Sequence, residues 1–194
     1  MTDLEARIAR IEDERAIVRL QTAYGYYVDK AQWDEAADLF AADATLEIAA
    51  RGLFRGQDRI RAYLKALPPM VEGTLFNHMQ LQPLITVEGD RAWGRWRAIM
   101  QVGFEGVQKL SGDAVYENAY VREDSVWKIV KLHAFVTHYV DMEGKAVPMG
   151  TELPEMAPDA PQTVAYQSFP GIFVPPYHYP NPVTGRAWPQ GETE

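Results

Sequence analysis

The sequence predicts an α+β fold, and three changes of pattern along the chain carry that reading. Up to Leu67, apolar residues recur at the three-and-four spacing of buried helical faces. From Thr74 to Val136 the period drops to two, in long stretches broken by short polar turns. Beyond Asp141 neither period survives. Residues 141–194 hold ten of the thirteen prolines, and proline interrupts helices and sheets alike. Helices first, then antiparallel hairpins, is the order of an α+β domain whose sheet curls over its helices.

Leu4, Ile8 and Ile11 form a short apolar stripe that ends at the charged block Glu12–Arg15. Asp13 is suited to N-cap the helix that follows, so the opening segment reads as a separate helical arm. Ile17, Leu20, Tyr24, Tyr27 and Val28 then mark one buried face. Asp29 falls in the last turn, where an acid opposes the helix dipole. It either enters a solvated turn or faces a cavity. Asp34 to Phe40 predicts a second short helix, Thr45 to Ile48 a strand, and Arg51-Gly52 to Arg55-Gly56 a turn. Gln57 to Leu67 predicts a third helix, with Ile60, Tyr63, Leu64 and Leu67 on one face and Pro68-Pro69 as its stop.

Four strands follow. Phe76–Val87 and Arg91–Gly103 pair around Glu88-Gly89-Asp90, and Gly112–Glu123 and Val126–Val136 pair around Asp124-Ser125. The expected organisation is one domain over residues 1–140 and a C-terminal extension over 141–194. Tyr166, Phe169, Ile172, Phe173, Tyr177 and Tyr179 make that extension too aromatic for a disordered tail. An ordered arm is expected, packed over the pocket or at a subunit interface.

With 194 residues, 47% of them hydrophobic, the chain can bury one core. No apolar run approaches the roughly 20 residues that span a bilayer. The charged N-terminus lacks a signal-peptide pattern, so the cytoplasm is the expected compartment. Cysteine is absent, which excludes disulfides and thiolate nucleophiles. A net charge of −8 and a pI of about 5.1 without a basic stripe argue against nucleic acid or an anionic membrane surface as partner. Glycine-rich phosphate loops, HExxH and Gly-x-Ser-x-Gly are missing. Four dispersed histidines argue against a zinc or iron site.

His78 is the most informative histidine, on a strand in Phe76-Asn77-His78-Met79-Gln80-Leu81. A curved sheet folded over the helices would bring an inward residue here to the helix end that carries Tyr24 and Asp29. A carboxylate bonded to an imidazole fixes its tautomer and raises its basicity. A nearby tyrosine could then donate a proton or hold a substrate oxygen.

The run from Leu20 to Ala44, LxxxYxxxxDxxxWDEAADLFAxDA, resembles the SnoaL-like branch of the NTF2-like superfamily. His78 to Ile85 followed by Val87-Glu88-Gly89-Asp90-Arg91-Ala92 is similar to that branch's central hairpin. Tyr116-Glu117 and Arg122 to Ile129 are similar to its last. Together these cover about residues 10 to 136 and are specific as an ordered set. The resemblance implies an NTF2-like cone, a curved, mostly antiparallel sheet around N-terminal helices. It also implies a deep pocket, commonly no cofactor, and a homo-oligomer, dimer or trimer. Members include scytalone and bile acid dehydratases, polyketide cyclases, ketosteroid isomerases and diarylpropane lyases. Tyr24, Asp29 and His78 match the dehydratases' Tyr, Asp and His in order and approximate spacing. The next strand departs from the pattern, because Arg97 to Val102 contains no His or carboxylate.

Arg97 or Gln101 could fill that role. Trp93, Arg95, Arg97, Ile99 and Gln101 share one face of the strand, and Trp96, Ala98, Met100 and Val102 share the other. Each face carries a Trp, so either can be core. An inward Arg97 would bind a phenolate or carboxylate, or stabilise an oxyanion. Arg97, Gln101, His133, Tyr116 and Trp96 are therefore the expected substrate-binding residues, beside Tyr24, Asp29 and His78 as the expected catalytic ones. The function expected is a cofactor-independent lyase acting by acid–base chemistry on a hydrophobic, phenolic aromatic molecule. The reaction would be dehydration or C–C cleavage of a diarylpropane. A dehydratase, isomerase or cyclase of polycyclic substrates is the alternative within enzymes, and a non-catalytic binding module the alternative outside them.

Overall fold

The computed structural model describes residues 2–148 and 159–188. Helix α1 (Asp3–Asp29) is continuous over 27 residues. A capping box closes its start: the Glu5 amide donates to the Thr2 hydroxyl, and the Thr2 amide donates to the Glu5 carboxylate. Asp13 is therefore not a cap. It lies mid-helix and accepts from Arg122 and the Trp127 indole, at 2.7 and 2.9 Å. The charged block that suggested a break is where α1 is clamped to the far end of the sheet.

Helix α2 (Trp33–Asp38) leads into β1 (Phe40–Ile48), a short 3-10 turn (Ala49–Arg51), β2 (Leu53–Arg55) and α3 (Gln57–Lys65). Four long strands follow: β3 (Thr74–Glu88), β4 (Arg91–Phe104), β5 (Gln108–Glu123) and β6 (Val126–Val140). They form one open six-stranded sheet in the order β2-β1-β6-β5-β4-β3. All pairs are antiparallel except β1 with β6. Asp124 and Ser125 both take positive φ between β5 and β6, the twist a two-residue hairpin loop requires. Pro83 is tolerated because β3 is an edge strand. It follows Gln82, whose φ is 50°, at a break in register between Leu81 and Leu84.

The sheet has two covered faces. On the inner face, Trp96, Ala98 and Met100 of β4 and Tyr116, Asn118 and Tyr120 of β5 are buried towards the helices. Between α1 and this face lies a polar knot in which Gln21 Oε1 accepts from Asn118 and Tyr120, while the Gln21 amide donates to Gln80. Each buried amide thus meets a partner, which rigidifies the contact of α1 with the sheet.

Residues 159–188 cover the outer face. Tyr166 and Phe173 stack at 4.5 Å and pack on Phe135. The Thr163 amide and hydroxyl both donate to buried Glu47. Arg95 sits 3.8 Å from the Tyr177 ring centre and pairs with Glu117, which also meets His178. None of these arm residues lines the cavity described below. The expected packing over the pocket is replaced by packing on the opposite side of the sheet, because the helices already occupy the inner face.

Candidate active site

The end of α1 packs tightly against β3 at Gly25. A Cβ on Gly25 would lie 2.8 Å from Gln80 Cγ and 3.1 Å from the His78 carbonyl oxygen. That closeness lets Asp29, one turn further on, reach His78. Asp29 Oδ1 accepts from the His78 backbone amide at 2.6 Å and lies 3.2 Å from His78 Nδ1. A carboxylate only accepts, so Nδ1 carries the proton and Nε2 is left with a lone pair. The amide and imidazole also supply what the helix dipole withholds from an acid at this end. The awkward acid of the sequence is a paired one.

His78 lines a cavity of about 200 Å³ enclosed by α1, α3, the turn after β1 and the inner face of β3–β6. Val28, Leu64, Phe76, Met100 and Val136 give it apolar walls, and four phenols, Tyr24, Tyr63, Tyr116 and Tyr139, share them. Pro68 after α3 and Phe104 at the β4–β5 turn stand at its exposed rim. Tyr24 packs edge-on against Phe40 at 6.1 Å. Burial pushes its phenol well above the ordinary value, helped by Tyr116 and Tyr63. Burial likewise raises Tyr116, and pushes Tyr139 up to about 12. All three phenols therefore stay protonated at neutral pH and act as hydrogen-bond donors.

Of the expected residues, Tyr24, His78 and Tyr116 line this cavity, and Asp29 stands behind His78. Arg97 and Gln101 do not line it. Both point from the outer face of β4, where Arg97 is 3.8 Å from Asp113 and exposed, and Gln101 accepts from Asn77. The reason is the alternation: Trp96 and Met100 take the inner face, which leaves the odd-numbered residues outside. Trp96 faces inward but lies below the cavity, donating to the Tyr120 hydroxyl at 2.9 Å. His133 is buried on the outer face, stacked on Phe135 at 3.9 Å and 3.7 Å from Glu47. Burial lowers its pKa to about 4, against the pull of Glu47, so it is neutral at pH 7.

Arg51 is the cavity residue that the sequence reading passed over as part of a turn. It closes the 3-10 turn between β1 and β2, and its guanidinium faces Tyr63, with Tyr139 and Tyr116 also near. Burial pulls its pKa down, but the phenolic oxygens, Tyr63 foremost, more than offset this and keep it charged. The only sequence signal was its setting, a cation directly after Ile48-Ala49-Ala50. Among the described residues no three His, Asp or Glu side chains converge as a metal site. Nor is any described helix long and apolar enough to cross a membrane.

The chain is 29% identical over 146 residues to hexachlorocyclohexane dehydrochlorinase 1 of Sphingobium indicum, covering 74% of this chain and 92% of that protein. The crystal structure of a type 2 hexachlorocyclohexane dehydrochlorinase (LinA) superposes with a TM-score of 0.64 at 26% identity, over 73% of this chain and 96% of the other. An NTF2-like protein with a cystatin-like fold from Novosphingobium aromaticivorans gives 0.62 at 22% identity, over 70% and 89%. The last likeness is one of fold alone. The sequence profile of the SnoaL-like domain matches residues 9–133, and the chain belongs to that family.

Proposed function

We propose that the protein is a lyase that catalyses a base-promoted elimination on a small hydrophobic molecule, with side chains alone moving the proton. The carrying observation is His78 in the wall of an apolar cavity, backed by Asp29. In the proposed step, His78 Nε2 removes a proton from substrate carbon or hydroxyl. The electron pair left behind forms the new double bond, and the leaving group departs with its bonding pair. Asp29 offsets the positive charge that then develops on the imidazole. Tyr24 hydrogen-bonds the departing atom; its raised pKa suits it to holding that atom rather than surrendering a proton. A departing hydroxide takes the proton from the imidazolium and leaves as water. The dehydrochlorinase relative carries an elimination in its name, which supports this class of reaction.

The size of the cavity narrows the substrate. An apolar cavity of about 150 Å³ accepts benzene, so about 200 Å³ accommodates one substituted ring, with a further group at the rim. A phenolic aromatic compound, including one end of a diarylpropane, fits this better than a fused polycycle. The test is a screen of phenolic alcohols, diarylpropane diols and chlorinated alicycles for released water, formaldehyde or chloride. On a substrate so found, His78→Ala should lower turnover by roughly 10²–10⁴-fold, and Asp29→Asn should also lower it. Full turnover by both variants would remove the mechanism, and a screen in which no compound is turned over would favour a binding module instead.

A further inference from the structure

We propose that Arg51 and Tyr63 form an anion-binding end to the cavity, which takes a carboxylate or phenolate carried by the ligand. The proposal rests on the preceding reading only in taking this cavity as the substrate site.

The guanidinium of Arg51 lies in the cavity wall, and no carboxylate comes within ion-pair distance of it among the described residues. This is a pointed vacancy of charge, because the chain carries 27 acidic side chains against 19 basic ones. The acid that does reach the cavity region, Asp29, is bonded to His78. A cation in low dielectric without a counter-charge costs stability unless something supplies one.

A second observation points the same way. The Tyr63 hydroxyl is buried beside the Arg51 guanidinium, and no acceptor among the described residues takes its proton. Its ring is fixed by stacking on Phe54 at 4.1 Å, so the hydroxyl is held beside Arg51 and cannot turn to water. Tyr24 adds a second protonated phenol to the same walls, while Tyr139 donates to the Met100 sulfur and Tyr116 meets Gln80. The cavity thus offers a cation and several donors, and a ligand that satisfies them brings acceptor oxygens with negative charge.

The turn that carries Arg51 is itself held in place. Ala49 takes φ 48° and Gly52 φ 101°, and a Cβ on Gly52 would lie 2.0 Å from the Ala160 carbonyl oxygen. The same carbonyl accepts from the Leu53 amide at 2.9 Å. The guanidinium in this cavity thus belongs to the turn after β1, and not to Arg97 of β4, for which the sequence raised an inward position.

The full-length protein is titrated near pH 7 with 4-nitrobenzoate, 4-nitrophenol and the neutral 4-nitroanisole. Calorimetry gives the affinities, and visible absorbance follows ionisation of the bound phenol. The two anions should bind roughly ten-fold or more tightly than the anisole, and bound nitrophenol should ionise at lower pH than free. A preference for the benzoate identifies a carboxylate as the natural group, and the reverse order a phenolate. Arg51→Met should erase the preference while leaving anisole binding unchanged, and Arg51→Lys should restore part of it. His78→Ala should keep the preference, so a failed base assignment and a failed anion site are told apart. Absence of any preference in the wild-type protein, including no binding of all three, overturns the proposal. So does an equal loss of all three ligands in Arg51→Met. The wild-type comparison decides by itself should the methionine variant not fold.

Discussion

His133 shows how a single buried side chain writes itself into the pH profile. Its folded-state pKa of about 4 lies below the ordinary value of 6.5, burial being the main cause. Between those two values the unfolded chain binds a proton that the folded chain does not. The stabilisation from keeping His133 neutral is therefore complete above about pH 6.5 and is lost as the pH falls towards 4. Urea unfolding at pH 7 and pH 5 should show His133→Asn losing less stability on acidification than wild type; equal losses in variant and wild type would refute it. Legibility at this scale followed local oddity. Asp29 was readable because an acid at a helix C-terminus breaks a rule, and His78 because a strand histidine opposite that acid completes a pair. Arg51 breaks no rule, since an arginine before glycine reads as any surface turn. Arg97 was misplaced because Trp93 and Trp96 made both faces of its strand look like core.

At the scale of elements, the site depends on how closely α1 can lie on β3, and Gly25 sets that distance. Alanine raises helix propensity by up to about 1 kcal/mol relative to glycine. Here its Cβ would press on Gln80 and on the His78 carbonyl, one of them backbone that cannot turn aside. Overpacking of this kind costs about 1–3 kcal/mol, so Gly25→Ala should lower the midpoint of thermal unfolding despite the better helix former. A midpoint at or above that of wild type would show that α1 has slack at this contact. The strands and α3 were legible from periodicity, because period two and the stop at Pro68-Pro69 are local signals. The continuity of α1 was not. Glu12–Arg15 looks like a helix boundary until Asp13 is seen receiving Arg122 and Trp127 from the opposite end of the chain. Such partners cannot be read from a window of neighbours.

Over the whole molecule, the arm and the cavity lie on opposite sides of one sheet and still act on each other. Helices and strands enclose the cavity, while residues 159–188 seal the outer face, where Phe135, His133 and Glu47 would otherwise meet water. The aromatic content of the extension announced that it is ordered; which face it covers depends on the sheet's alternation and was not legible. Its mechanical reach follows from two contacts. The Ala160 carbonyl holds the Gly52-Leu53 backbone immediately after Arg51, and Thr163 holds Glu47 on β1, four residues before it. Removing the chain after Pro148 uncovers at least Phe135, whose burial contributes on the order of 2 kcal/mol, and leaves Glu47 without its donors. Stability should therefore fall. The turn that presents Arg51 should loosen with it, so anion binding should weaken although no arm residue lines the cavity. The milder Thr163→Ala, which removes one hydroxyl donor from Glu47, should weaken nitrobenzoate binding by less, and neither change should touch nitroanisole. A truncated protein that binds nitrobenzoate as tightly as wild type would show that β1 and β2 hold Arg51 without the arm.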